Sequence, residues 1–300
     1  MKHNEFISDK YEIFYSTKYL VIKDVLNNHY LRVTGHIMKY IIQNISDENL
    51  QEFLYSLFSS NNFEHKRKVI SIELNNEKSS RMLISYIPNA VFDILVMTFT
   101  IICALIFGGV FIYCEGICAD YNYVYSGIWI VVNIFIHELG HYIACIKSGR
   151  SVRSFGVKFN YGLPMMYVDT IDICMSKMTC RLATSLAGIY FNAILSLLLL
   201  SMYLLNNLSI FLFFSQISLF FVASNLVPFL KLDGYYVVAD LLGENNLDNA
   251  SKNAMKKILS GTLCDRHEYI LVLYVILRWV FIMILLLSIW HKIYCFLLPD

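Results

Sequence analysis

Residues 124–146 read VYSGIWIVVNIFIHELGHYIACI, an apolar run that encloses the polar set His137-Glu138-x-x-His141. Side chains four residues apart on a helix stand one above the other, so His137 and His141 present two imidazoles to one metal ion. Glu138 is rotated about 100° from His137, near enough to reach a water beside that ion without being its natural third ligand. This donor pattern is that of a zinc hydrolase, with one Zn2+ per chain. The setting narrows it further. Two histidines and a glutamate are costly in a spanning helix unless they are paired or metallated. The expectation is hydrolysis at membrane depth, with Glu138 as the catalytic proton carrier.

Composition supports that setting. Apolar residues make up 57% of the 300 positions and charged residues 16%, with a mean hydropathy of +0.54. Such values fit a multi-spanning membrane protein and exclude an ordinary globular domain. A net charge of +1 gives no basis for nucleic-acid binding. The first ten residues are polar without an apolar core, so no cleavable signal peptide is expected. Eight cysteines occur without a C-x-x-C pair, mostly in or beside apolar stretches, and read as buried free thiols. Cys114 and Cys118 would form a bridge only if their loop faced an oxidising space.

The chain divides into an N-terminal domain, 1–85, and a membrane metalloprotease domain, 86–300. The first is expected to be a small, winged-helix-like α+β domain. Two strands, 19–24 and 29–34, flank the turn pair Asn27-Asn28. Helices follow at 35–45 and from the cap residue Ser46 to about 58, and 66–74 returns as a strand. The second domain is expected to be an α-helical polytopic bundle of five spans: 90–113, 124–146, 183–205, 208–230 and 269–290. Each is near the roughly 20 residues needed to cross hydrocarbon. Lys and Arg cluster in 1–85, in 147–182 (Lys147, Arg150, Arg153, Lys158, Lys177, Arg181) and in 231–268, and are missing from 115–123 and from Asn206-Asn207. That alternation predicts a multi-pass membrane protein with its N-terminus cytoplasmic. His137 to His141 then lie in the cytoplasmic half of the second span.

A catalytic zinc normally takes three protein ligands and keeps one open position. Residues 142–148 offer no third His or Glu. The best candidate is Asp233 in Asn225-Leu-Val-Pro-Phe-Leu-Lys-Leu-Asp233-Gly234, just past the fourth span. That span runs in the same direction as the second, and Pro228 breaks the helix nearby, freeing Asp233 to turn inward.

H-E-x-x-H in one span together with N-x-x-P-x-x-x-L-D-G at the end of another resembles the site-2 protease family of intramembrane zinc metalloproteases. More narrowly, 137–205 and 225–243 resemble the bacterial peptide zinc metalloproteases found with peptide-maturation genes. The supporting residues are Ser154-Phe-Gly-Val157, Tyr167-Val-Asp-Thr170, Ser185-Leu-Ala-Gly188 and Asp233-Gly-Tyr-Tyr236. The resemblance implies that His137, His141 and Asp233 bind zinc, that Glu138 is the catalytic base, and that Asn225 holds the substrate backbone or the oxyanion. It also implies re-entrant strands within 151–170, against which substrate extends. Where many relatives carry Ala-Gly-Pro in the third span, this chain has Ala187-Gly188-Ile189; Gly188 and Asn192, one turn apart, are suited to close helix packing. The N-terminal elements resemble, more weakly, the leader-peptide-recognition domains of peptide-modifying enzymes, which offer a strand edge to an extended peptide.

Two charges remain within expected spans, Asp93 and Arg278; Arg278 is expected to snorkel or to pair with a carboxylate. The function expected is an intramembrane zinc endopeptidase acting on a peptide precursor or membrane-held peptide, in ribosomal peptide maturation of a bacteriocin-like kind. Its partners would be that peptide, the bilayer and an exporter. Two rivals stand beside it: proteolysis of a membrane-anchored regulator, and a non-catalytic exporter or immunity protein. A PDZ-like insertion is not expected, because the loops are too short.

Overall fold

The strand Leu20–Asp24 is buried along its whole length, and that burial organises the N-terminal part of the chain. The computed structural model describes residues 4–8, 10–15, 20–25, 29–33, 35–43, 49–59, 69–73, 94, 98, 123–160, 163–244, 246–261 and 265–297. Strands β1 (Asn4–Ser8), β2 (Tyr11–Tyr15), β3 (Leu20–Asp24) and β4 (His29–Val33) form an antiparallel meander in sequence order. Alternate residues of a strand face opposite ways. Tyr11, Ile13, Leu20, Ile22 and Val33 therefore pack against Ile41 of α1 (Gly35–Gln43) and against Leu50, Leu54 and Phe58 of α2 (Asn49–Ser59). On the other face Phe14 and Val21 meet Met175. With both faces covered, Leu20, Val21 and Ile22 make an unbroken apolar run at the start of β3; each fully buried Leu or Ile contributes about 2 kcal/mol. Two strands were expected from 1–34 and four are present. The expected return strand forms β5 (Val69–Glu73), which joins a different sheet.

That second sheet has the order β5-β6-β7, antiparallel throughout, with β6 (Ser154–Asn160) in the middle and β7 (Leu163–Val168) at one edge. Its strands β6 and β7 follow α3 (Tyr123–Lys147) and lead into a 3₁₀ turn at Ile171–Met175. The turn carries the second face of the N-terminal sheet. Asp172 accepts hydrogen bonds from Lys23 Nζ at 2.8 Å and Tyr30 Oη at 2.7 Å, and from the Ser151 backbone N–H and Oγ at 3.0 Å each. Arg150 spans Glu12 and the carbonyl of Met175, at 3.0 and 2.6 Å. The N-terminal sheet and residues 150–175 of the basic segment are thus in direct contact.

Burial by itself would raise the Asp172 pKa, but the donors from Lys23, Ser151 and Tyr30 outweigh it and hold the carboxyl below its ordinary value. Burial and the neighbouring Asp172 also push the Cys174 thiol up to about 12, so it stays protonated. A carboxyl whose folded pKa is depressed stabilises the fold above its unfolded pKa, about 3.9, and that contribution is lost as pH falls through the folded value. We expect Asp172→Asn to cost about 3 kcal/mol at neutral pH, because it strands a buried cation. In thermal unfolding the gap to the parent protein should narrow as the pH drops below about 4; a gap constant into acid would refute the assignment.

Helices α4 (Met178–Asn206) and α5 (Ser209–Leu226) follow, joined at Asn207, whose positive φ of 52° allows the abrupt reversal. Ser196 and Ser215 exchange hydrogen bonds between them, each hydroxyl donating to the other's carbonyl at 3.1 and 3.0 Å. Trp129 of α3 stacks on Phe214 with centroids 4.6 Å apart and donates its indole N–H to the Phe214 carbonyl. Among the described residues, four helical segments are long and apolar enough to cross a membrane: Tyr125–Lys147, Met178–Asn206, Ser209–Leu226 and Arg266–Ile284. The protein is thus mostly helical with a few small strands, as a polytopic helical membrane protein should be. The expected span 90–113 lies outside the described residues, apart from Ile94 and Thr98, and Asp93 lies outside them too.

Residues Met1–Ala223 form one compact unit and Ser224–Asp300 a second. In the second, α6 (Asp233–Leu242), α7 (Leu247–Leu259) and α8 (Arg266–Leu297) enclose Tyr235, Ala239, Leu247, Ala254, Leu271 and Tyr274. Arg278 pairs with Asp248 of α7, and so does Lys231 at 2.9 Å. The charge in the last span has the carboxylate partner it was expected to need. Among the described cysteines, Cys145 and Cys174 are free thiols; Cys114 and Cys118 lie outside the described residues.

Candidate metal centre

The two histidines stand one turn apart on α3, with His137 buried. Their Nε2 atoms are 3.1 Å apart and their rings nearly perpendicular, at 82°. Two nitrogens on one tetrahedral zinc, each about 2.0–2.1 Å from it, would be separated by about 3.3 Å. His141 Nδ1 lies 2.7 Å from the Thr184 carbonyl oxygen. A carbonyl only accepts, so Nδ1–H donates and Nε2 offers its lone pair to the centre.

Space for an ion comes from α4. A Cβ built on Gly188 would meet His137 Nε2 at 2.6 Å and His141 Nε2 at 2.7 Å, so the glycine leaves free a volume that both nitrogens face. Gly140 serves the packing itself: a Cβ there would stand 2.6 Å from the Ala187 carbonyl oxygen. Small residues let the backbones of α3 and α4 approach this closely. The close packing expected of Gly188 is present, and it is packing against the imidazoles.

Asp233 opens α6, where a carboxylate meets the positive end of the helix dipole. Helix α5 ends at Leu226 and the chain turns at Pro228, as the missing proline N–H requires. Gly234 then fits where a Cβ would be 2.5 Å from the Leu226 carbonyl oxygen, which holds Asp233 close to the end of α5. Asn225 lies in the last turn of that helix. By residue type, His137, His141 and Asp233 make a candidate set of metal ligands among the described residues.

Glu138 points elsewhere. Its Oε2 accepts the Val168 backbone N–H at 2.9 Å, which ties it to the end of strand β7. The neighbouring Asp169 N–H turns the other way and donates to the Ser154 carbonyl of the β6 segment. The Val168 N–H is therefore on the outer edge of the sheet, the edge not taken by β6. Sequence alone missed this tie, the Thr184 carbonyl and the contact of Asn192 with His137. A residue four positions beyond Gly188 on the same helical face was the available signal for the last of these.

No family model matches this chain, and no solved structure matches it. The chain is similar to a Bacillus subtilis (strain 168) protein named "Putative peptide zinc metalloprotease protein YydH", with 29% identity over 131 residues. The match covers 42% of this chain and 49% of the relative, so the chain spans about half the length of that protein.

Proposed function

We propose that this chain is a membrane-embedded zinc endopeptidase of the site-2 protease kind, cleaving a peptide precursor or membrane-held peptide near the cytoplasmic face, in ribosomal peptide maturation. The observation that carries the proposal is the donor set of His137, His141 and Asp233, beginning on an apolar helix with Glu138 beside it. The named relative supports the metalloprotease part of the reading.

In this reading His137, His141 and Asp233 hold one zinc ion, which when bound supplies Lewis acidity and lowers the pKa of water at the site. Glu138 takes a proton from the attacking water and later gives it to the amine released when the peptide C–N bond breaks. Asn225 holds the substrate backbone. The outer edge of β7 receives the substrate as an added strand, because an extended chain exposes the carbonyl that a helix hides. The side of β6 away from β7 is covered by β5, so substrate pairing falls to β7. The N-terminal domain, 1–85, holds the peptide ahead of the cleavage point.

Asp233→Ala tests the centre directly. Purified in detergent, the variant should retain little zinc by elemental analysis while the parent protein carries one ion per chain; full retention would remove Asp233 from the ligand set. Cleavage of a peptide substrate should stop in the same variant.

A further inference from the structure

We infer that Asn192 is a positioning residue for the metal ligand His137, fixing which ring nitrogen faces the centre. The inference rests on the zinc reading above and deepens it. Asn192 is wholly buried in α4, and its amide nitrogen is 3.3 Å from His137 Nδ1. Its Oδ1 is buried with no hydrogen-bond partner. In an apolar span an orphaned amide oxygen is costly, so a polar side chain kept there needs a reason.

The directions of the hydrogen bonds supply that reason. The amide N–H of Asn192 donates to His137 Nδ1, which leaves the proton of that ring on Nε2, aimed at His141 Nε2 3.1 Å away. His141 in turn donates from Nδ1 to the Thr184 carbonyl. Donors and acceptors agree along the whole row. Ligation of zinc through His137 Nε2 needs the other tautomer, with the proton on Nδ1 and an acceptor facing it. The side chain facing Nδ1 is Asn192. Its amide can turn over in nearly the same volume and present Oδ1, the atom that has no partner otherwise. Thr184 settles the tautomer of His141 with a fixed carbonyl; Asn192 settles that of His137 with a reversible one.

The test is metal affinity. Apparent zinc affinity would be measured by competition with a chromogenic chelator on detergent-purified protein, alongside the absorption bands of the cobalt(II)-loaded form. Asn192→Leu keeps the volume and removes the acceptor. It should weaken binding about 10–100-fold and shift the cobalt bands, with thermal unfolding and gel-filtration profile close to the parent's. Asn192→Ala takes its place if the leucine does not fold. Asn192→Asp restores an acceptor and should bind at least as tightly as the parent. Parent-like affinity in Asn192→Leu would overturn the inference, as would an Asn192→Asp protein as weak as the leucine variant. His137→Ala separates the two layers. If that variant keeps its zinc, the zinc-centre reading itself fails; if it loses zinc while Asn192→Leu does not, only the role of Asn192 falls.

Discussion

Glu138→Gln should abolish peptide cleavage while the protein keeps its zinc. Glutamine has the shape of glutamate, and its amide oxygen can still accept the Val168 N–H that Glu138 Oε2 accepts at 2.9 Å. The tie to β7 therefore survives, and the His137–His141 pair is untouched. What is lost is a group able to take a proton and return it. General acid–base steps of this kind are worth about 10²–10⁴-fold each, and Glu138 is assigned both, so processing should fall by about 10³-fold or more. Zinc content and unfolding temperature should match the parent. Unchanged processing would end the protease reading and favour a non-catalytic exporter or immunity protein. Loss of zinc would instead make Glu138 a ligand.

Gly188→Ala should do the reverse and empty the metal centre without unfolding the bundle. The added methyl would stand 2.6 Å from His137 Nε2 and 2.7 Å from His141 Nε2, where the ion itself is expected. Imidazoles are the far ends of side chains and can swing aside, so the backbone of α4 need not move. The swing, however, separates the two donors, and zinc tolerates little departure from about 2.0–2.1 Å. Zinc affinity should drop by about 100-fold or more, which is about 2.7 kcal/mol. Gly140→Ala is the control: its methyl would meet the Ala187 backbone 2.6 Å away. Backbone cannot swing, so that variant should lose thermal stability first and zinc only as a consequence. Should Gly188→Ala bind zinc like the parent, the ion does not sit between the two Nε2 atoms.

Much of this centre was legible in the residues. The H-E-x-x-H spacing needs only one helix, and a helix as apolar as α3 is announced by its own composition. Asp233 was legible because Pro228 and Gly234 mark where α5 must stop and what can follow it. The strands were harder. Asn4–Ser8 and Tyr11–Tyr15 are short and mix charged with aromatic residues, so neither shows a clean period of two. The strand at Val69–Glu73 was expected, but its partner was not, because pairing with Ser154–Asn160 is decided by the fold and not by anything within five residues. Asp172 was read as nothing in particular; its partners Lys23 and Tyr30 are more than a hundred positions away in the chain. Asn192 was read as a packing residue because hydrogen-bond direction cannot be inferred from spacing.

The ladder between β5 and β6 also bears on how the chain is threaded. Hydrogen-bonded strands share one side of a bilayer, and Ile72 stands directly opposite Phe155. Whichever side of a membrane holds β6 must therefore hold β5 too.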